Sequence, residues 1–152
     1  MEEEFIMKVN GPMPLADVER YLKKTVLPVR LAAASPTGWP LVVSLWYLYE
    51  NQSLICATKR SSRIAESLIK SERCGFEIAR ETAPYFGIRG QGVATVKQDN
   101  AISTLERLAE RYLSHDREQF QRWLLKSSKD EIVIHIRPIA FHSWDYRKRM
   151  AA

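Results

Sequence analysis

The sequence lacks the features of a membrane, secreted or disulfide-stabilised protein. No apolar run approaches the ~18–20 residues that a membrane-spanning helix needs, so a membrane is not an expected partner. The first residues, MEEEFIMKV, are acidic, unlike the basic and then apolar layout of a signal peptide, which predicts a cytoplasmic protein. The two cysteines, Cys56 and Cys74, each lie in an apolar stretch. This predicts buried free thiols rather than a disulfide framework.

Common catalytic and cofactor-binding motifs are also missing. The glycines of GIRGQG lie inside a strand pattern rather than after a strand, which excludes a dinucleotide fingerprint, and there is no P-loop. No G-x-S-x-G motif is present, so a hydrolase has no support. His115, His135 and His142 share no ligand spacing with one another or with the cysteines. A metal site is therefore not expected.

What is present is the composition of an ordinary folded domain. The 152 residues are 45% hydrophobic and 27% charged, which predicts one domain over residues 1–152 with a core of its own. The net charge of +5 and the pI near 9.3 permit nucleic-acid binding, but the basic residues are interleaved with acidic ones. An anionic small ligand accounts for the excess equally well, so charge alone does not decide.

Hydrophobic periodicity predicts a few short helices among six or seven strands. Helical spacing occurs in MPLADVERYLKKT, RIAESLIK, NAISTLERLAERYL and REQFQRWLLKS, and Asp99 or Asn100 is placed to cap the third. Strand character occurs in LPVRLAAAS, LVVSLWYLY, LICAT, CGFEIAR, YFGIRGQGVATVKQ, EIVIHIRP and IAFHSWDY. The first three strands predict an antiparallel meander, and Pro138 separates the last two. The pattern favours a mainly β fold, an antiparallel barrel or sandwich with helices at its ends.

A basic, hydroxyl-rich run, TKRSSR at residues 58–63, lies where a predicted strand ends and a predicted helix begins. Helix N-termini favour phosphate because they present unpaired N–H groups and the positive end of the helix dipole. The hydroxyls of Thr58, Ser61 and Ser62 can donate to phosphate oxygens, and Arg63 can bind two of them. The alternative is that a serine only caps the helix while the cations are solvated.

Aromatic residues are concentrated at predicted strand positions. Most of them are expected to pack in the core or an interface, although a flavin ring would need such a wall beside a phosphate site. The aromatic residues concerned are Trp39, Trp46, Tyr47, Tyr49, Tyr85, Phe86, Trp144 and Tyr146.

Four motifs, in this order, resemble the pyridoxamine phosphate oxidase-like family of FMN-binding split β-barrels. PLVVSLWY is similar to the family strand P-x-V-x-x-x-W-[YF], and LICAT followed by KRSSRIAESLIK is similar to its strand ending in Thr before a basic segment. RGQG matches the later R-G-x-[GA] element, and PIAFHSW matches a closing P-x-x-[FV]-x-x-W. The likeness runs from LPVRLAAAS to SWDY.

The resemblance implies a mainly β (α+β) antiparallel split β-barrel with short helices, forming a homodimer with two cofactor sites across its interface. It implies FMN as the cofactor, with the ring and ribityl chain along residues 42–47, the phosphate at the basic segment and a tryptophan approaching from the partner subunit. The implied cofactor-binding residues are Val42, Val43, Ser44, Leu45, Trp46, Tyr47, Thr58, Lys59, Arg60, Ser62, Arg63 and Trp144.

Two departures from the family pattern affect this expectation. Family members commonly have Lys directly after the phosphate-binding Arg, whereas this chain has Ile64. Lys59 or Arg60 could supply the missing cation. The substrate residues of the vitamin oxidases lie in a C-terminal segment containing Arg and His, whereas only DYRKRMAA follows Trp144 here. We therefore do not expect the vitamin oxidase activity itself.

The leading hypothesis is an FMN-dependent oxidoreductase that acts on a small-molecule substrate or electron donor. No side chain stands out as a catalytic acid or base, as expected when a flavin carries the chemistry. The closest alternative is a deazaflavin-dependent reductase of the same fold. A non-catalytic flavin or haem binder is the next, with His142 as the candidate axial ligand. A nucleic-acid-binding module ranks last.

Overall fold

The computed structural model describes residues 6–127 and 129–151, and this part of the chain contains eight strands and four helices. Five elements come before β5 (Ser53–Lys59), the strand that leads into the basic segment: β1 (Lys8–Asn10), α1 (Leu15–Lys24), β2 (Val29–Ala34), β3 (Pro40–Leu45) and β4 (Leu48–Glu50). The remaining elements are α2 (Arg63–Lys70), β6 (Arg73–Ala79), β7 (Phe86–Lys97), α3 (Ala101–Leu113), α4 (Arg117–Ser127) and β8 (Glu131–Asp145).

All strands belong to one curled sheet with the order β3-β2-β6-β7-β8-β5-β4. These neighbours are antiparallel, while β1 adds parallel to the second half of β8. The curl brings the two edges of the sheet near each other, because Ser44 of β3 and Ala57 of β5 line one cleft. The predicted α+β split barrel is confirmed.

Strand β8 pairs with three other strands of the sheet. It pairs with β7 along its length, with β5 through its first half and with β1 through its second half. The prediction of two strands separated at Pro138 is wrong. Pro138 lies opposite Gly92, where the register of β7 against β8 shifts between Gln91 and Gly92. Such an irregularity tolerates a residue without an N–H, so the strand continues through the proline.

The predicted strand LVVSLWYLY is divided into β3 and β4. The break at residues 46 and 47 carries the chain from one edge of the sheet to the other. The predicted meander is therefore wrong: β2 and β3 pair, and β4 and β5 pair, but β3 and β5 are not hydrogen-bonded neighbours. This crossing creates the split between the two edges.

Helices cover the sheet on both of its faces. Helices α1 and α2 contribute the inward residues Val18, Leu22, Ile64, Ala65 and Leu68 to the barrel core. Helix α3 instead packs on the outer side of β5 and β8 and buries Leu105 and Leu108 there. The outer surface formed by β2, β3, β6, β7 and the second half of β8 carries no helix of the described residues. None of the described helices combines the length and apolar character that crossing a membrane requires.

Close packing inside the barrel requires glycine at position 90 and buries both cysteines. A Cβ on Gly90 would lie 2.4 Å from the ring of Phe76 and 2.4 Å from the carbonyl oxygen of Ala140, so β7 can approach both neighbours only with glycine here. Cys56 and Cys74 are free and buried, as predicted. Burial raises the pKa of the Cys74 thiol to about 11 and also raises that of Cys56.

Candidate functional site

The turn from β5 to α2 presents a short helix N-terminus at the edge of the barrel. Ser62 is the N-cap residue, and its Oγ accepts a hydrogen bond from the backbone N–H of Ala65 at 3.2 Å. The capping alternative therefore holds for this serine, while its hydroxyl hydrogen remains able to donate. Ser61 is exposed, and Arg63 is exposed at the first helical position.

The other two cations of the basic segment turn toward the start of β8 and α3. Lys59 Nζ donates to the carbonyl oxygen of Lys129 at 2.6 Å and lies 3.1 Å from Glu131 Oε1. Arg60 lines a cavity at the N-terminus of α3. Ile64 points into the core, where it is 2% exposed, so its position cannot present a cation to the helix N-terminus.

The segment expected to line a flavin ring divides between three environments. Val42 (64% exposed) and Ser44 lie on the outer face of β3, whereas Val43 and Leu45 point inward and are partly buried. Tyr47 is fully buried and donates its hydroxyl to the carbonyl of Leu22 at 2.8 Å. Its side chain therefore has no surface for a ligand.

Trp46 lies between the sheet and the outer helices. Its ring stacks on Tyr112 of α3 and contacts Trp123 of α4, with centroids 5.1 and 4.9 Å apart. Together with Ser44, Leu45 and Ala57 it lines a cleft of about 190 Å³ at the split of the barrel. Ala57, which lines the cleft, is followed in the chain by the half-buried Thr58 and by the rest of the basic segment.

Trp144 lies far from the basic segment within one chain. Lys59 pairs with Glu131 at the first residue of β8, while Trp144 is near the other end of that strand, roughly 40 Å away along an extended strand. Trp144 is partly buried on the outer face, with the guanidinium of Arg89 5.8 Å from its ring centroid. Within one chain, the two parts of the predicted site therefore lie toward opposite ends of β8.

The uncovered outer face carries a polar row beside a row in which three of five residues are alanine or glycine, and the sequence patterns did not reveal this arrangement. The polar row follows the register across six strands: Ser44, Arg30, Glu77, Arg89, His142 and Asn10. The adjacent row consists of Val42, Ala32, Gly75, Gln91 and Ala140. Except for Ser44, the residues of both rows line a groove of about 680 Å³, and a neighbouring groove holds about 860 Å³.

The signal that could have located this face is the alanine run of β2. Ala33 is buried inside the barrel, whereas Ala32 and Ala34 lie on the outer side. Alternation on a strand puts successive residues on opposite faces, so small residues at alternate positions indicate a surface that another backbone or a flat ligand can approach. In the part of the chain that the structure describes, no group of three or more His, Cys, Asp or Glu side chains could hold a metal ion.

Solved structures with a matching arrangement establish the fold. Protein Rv2991 from Mycobacterium tuberculosis, described only as conserved and hypothetical, superposes with a TM-score of 0.76 at 21% identity, over 93% of this chain and 90% of its own. An F420 reductase superposes with a TM-score of 0.65 at 18% identity, over 80% and 94% of the two chains. This chain has the pyridoxamine phosphate oxidase-like fold.

The same split-barrel fold occurs in HutZ, the haem storage protein from Vibrio cholerae. Its TM-score is 0.62 at 15% identity, over 83% of this chain and 91% of HutZ. No protein-family model matches the sequence, and no curated protein matches it. The resemblance noted from the four motifs is thus confirmed at the level of fold, while proteins of this fold carry different cofactors.

Proposed function

We propose that this chain binds a phosphate-bearing flavin at the split of the barrel and functions as a flavin-dependent oxidoreductase. The proposal rests on one continuous segment: Ala57 lines the cleft together with Ser44 and Trp46, and the N-cap Ser62 of α2 follows five residues later. The chain from Ala57 to the capping Ser62 can extend at most about 17 Å. A phosphate-binding end and a ring-binding strand are therefore close enough to serve one ligand.

The phosphate would be held by α2 and its exposed arginine. The N–H groups of the first turn have no intrahelical acceptors, and Arg63 adds a charged fork at the first helical position. The hydroxyls of Ser61 and Thr58 would add donors. Lys59, already 3.1 Å from Glu131, would contribute at longer range. An arginine and a helix N-terminus together suit a phosphate monoester.

The ring would extend from the cleft onto the outer face. The cleft of about 190 Å³ is smaller than the roughly 300 Å³ of the smallest ligand pockets, so it cannot enclose a tricyclic ring. Val42 and Ser44 continue the surface outward, and Val42 also lines the groove of about 680 Å³. The bound flavin would supply the hydride or electron chemistry, while this strand orients it.

A second copy of the chain would complete the site. The small residues of the outer face would allow close approach of another sheet. In the polar row of this face, the charges of Arg30, Glu77 and Arg89 alternate in sign, so a copy related by a two-fold axis would meet opposite charges. The copy would bring its Trp144 toward the ring. The FMN and deazaflavin alternatives share this site, because both ligands carry a phosphate near a tricyclic ring, and an F420 reductase shares the fold.

An equilibrium titration of the purified protein with FMN and with riboflavin tests the proposal. Riboflavin has the same ring and ribityl chain but no phosphate. We expect FMN to bind at least about tenfold more tightly, since a charge-assisted phosphate contact contributes roughly 1.5–3 kcal/mol. Equal affinity for the two ligands would exclude a phosphate site at α2. A deazaflavin with a phosphate, titrated in parallel, distinguishes the two cofactor classes.

A further inference from the structure

Helices α2 and α3 both begin at the end of the sheet where β8 starts. Strands β5 and β7 both run antiparallel to β8, so both end where β8 begins: Lys59 pairs with Glu131, and Lys97 pairs with Val133. The helices that follow these strands therefore start on either side of the β8 N-terminus. A cavity of about 460 Å³ lies at the N-terminus of α3, and its lining consists of Arg60, Gln98, residues 100–103, Asp130 and Glu131.

One side of this cavity presents hydrogen-bond donors that can bind an anion. Helix α3 has thirteen residues, and its N-cap Asn100 has a left-handed conformation, with φ of 60°, and no side-chain capping bond. The first-turn N–H groups of a helix have no intrahelical acceptors, and here the cap residue supplies none. Arg60 lies on the same cavity, where the amide oxygen of Gln98 can accept from its guanidinium.

The opposite side presents a carboxylate, that of Glu131, with one oxygen that has no hydrogen-bond donor in the described part of the chain. The side chain of Glu131 is 5% exposed. Its Oε1 contacts Lys59, but its Oε2 is buried with no hydrogen-bond partner among the described residues. A buried acceptor without a hydrogen bond destabilises the fold, and more strongly when it is charged. A donor on a bound molecule would recover this free energy.

The charges around the cavity cancel. Arg60 and Lys59 are opposed by Asp130 and Glu131, so a ligand with a large net charge of either sign gains little. A neutral ligand with separated charges can satisfy both sides at once. We propose that this cavity binds a small zwitterion of the amino-acid class. Its carboxylate would meet the first turn of α3 and Arg60, and its ammonium group would meet Glu131, with Asp130 balancing the added positive charge.

This cavity adjoins the phosphate end of the proposed flavin site, with which it shares Lys59, but it needs no cofactor, so it is tested on the protein without added flavin. The amide spectrum of the ¹⁵N-labelled full chain would be titrated with glycine, acetate and methylammonium. We expect glycine to shift the amides of Ile102 and Ser103, with an affinity at least about tenfold above that of either half-molecule, because two charge-assisted contacts act together. Acetate binding as tightly as glycine, or no shifts with glycine, would overturn the proposal.

A charge placed in the first turn of α3 provides the decisive variant. Ser103 is exposed, and Ser103→Asp favours the helix through its dipole while repelling a carboxylate. We expect it to weaken glycine binding at least about tenfold. The matched control is Gln119→Glu, which adds the same charge to the first turn of α4. A second variant, Glu131→Gln, should lower the affinity for glycine but not for acetate. Unchanged glycine binding in Ser103→Asp would contradict the site.

Discussion

The indole of Trp46 lies flat against the phenol ring of Tyr112, with centroids 5.1 Å apart and planes 6° from parallel. Tyr112 in turn accepts a hydrogen bond from the backbone N–H of Tyr47 and donates its hydroxyl to the carbonyl of Leu27. The break between β3 and β4 is thereby attached to α3. Trp46 therefore stabilises the edge of the cleft through its contact with Tyr112, independently of any ligand.

Truncating Trp46 should destabilise the fold. We expect Trp46→Ala to lower the free energy of unfolding by roughly 2–3 kcal/mol, because it removes an aromatic pair and most of a half-buried ring. Trp39 is 77% exposed and provides the control, since Trp39→Ala should cost less than about 0.5 kcal/mol. Urea unfolding at one protein concentration measures both. Similar midpoints for the two variants would show that the stacked pair contributes nothing.

Arg111 ties α3 to the end of α1. Its guanidinium donates to the carbonyl oxygens of Leu22, Lys23 and Thr25 and lies 5.2 Å from the ring centroid of Tyr47. We expect Arg111→Ala to cost roughly 2–3 kcal/mol of unfolding free energy, since partly buried carbonyls lose a charged donor. The exposed Arg117, replaced in the same way, should change stability little. Thermal unfolding of the two variants measures the difference. Equal melting temperatures for Arg111→Ala and Arg117→Ala would show that the hydrogen bonds of Arg111 do not stabilise the fold.

The cysteines should be unreactive in the folded protein. The nucleophile is the thiolate, and burial raises the pKa of Cys74 to about 11, so this thiol stays protonated at pH 8. A disulfide reagent should therefore modify Cys56 and Cys74 only after unfolding. Because an unfolded thiol ionises near pH 8.5, the unfolded state loses its proton first, and stability should fall between about pH 8.5 and 11. Rapid labelling of the native protein at pH 8 would contradict this.

Removing the arginine at the first position of α2 should weaken cofactor binding. We expect Arg63→Ala to reduce the affinity for FMN at least about tenfold, since a charge-assisted hydrogen bond contributes roughly 1.5–3 kcal/mol, and to leave the affinity for riboflavin unchanged. Arg149, which lies near the C-terminus over the ring of Tyr146, provides the control. Equal losses for FMN and riboflavin would point to a general disturbance of the fold instead.

A charge among the small residues of the outer face should keep the chain monomeric. Ala32 lies in the groove next to Gly75. We expect Ala32→Glu to fold but to lose self-association, because a sheet that packs against its copy cannot bury an unpaired carboxylate there. Sedimentation velocity of this variant and of Gln119→Glu, on exposed α4, measures the effect. A dimer that survives Ala32→Glu would place the interface elsewhere.

The periodicity of the sequence was sufficient for a mainly β fold and for the four helices, whereas the split barrel was predicted only by the resemblance of the four motifs. It did not reveal the break at Trp46 and Tyr47, because both residues are aromatic and continue the strand-like pattern. It also could not show that Pro138 is accommodated, since this depends on the register shift opposite Gly92. Strand β1 has only three residues and pairs parallel to β8, so no alternation indicated it.

The candidate site was predictable in part. The strand-to-helix boundary at TKRSSR lies where the sequence indicated, with α2 beginning at Arg63. The directions of Lys59 and Arg60 depend on β8 and α3, which are distant in sequence. Local pattern therefore could not distinguish a cation facing α2 from one facing the α3 cavity. Tyr47 was predicted to line a ligand, but its burial follows from the crossing between the sheet edges.

The most direct measurement is the visible absorption spectrum of the purified protein after saturation with FMN and gel filtration, with mass spectrometry of the molecule that heat releases. We expect a retained flavin spectrum and the mass of FMN, or of a phosphate-bearing deazaflavin when that ligand is supplied or co-purifies. A protein that retains neither ligand, or that shows the absorption of haem instead, would contradict a flavin site at the split of the barrel.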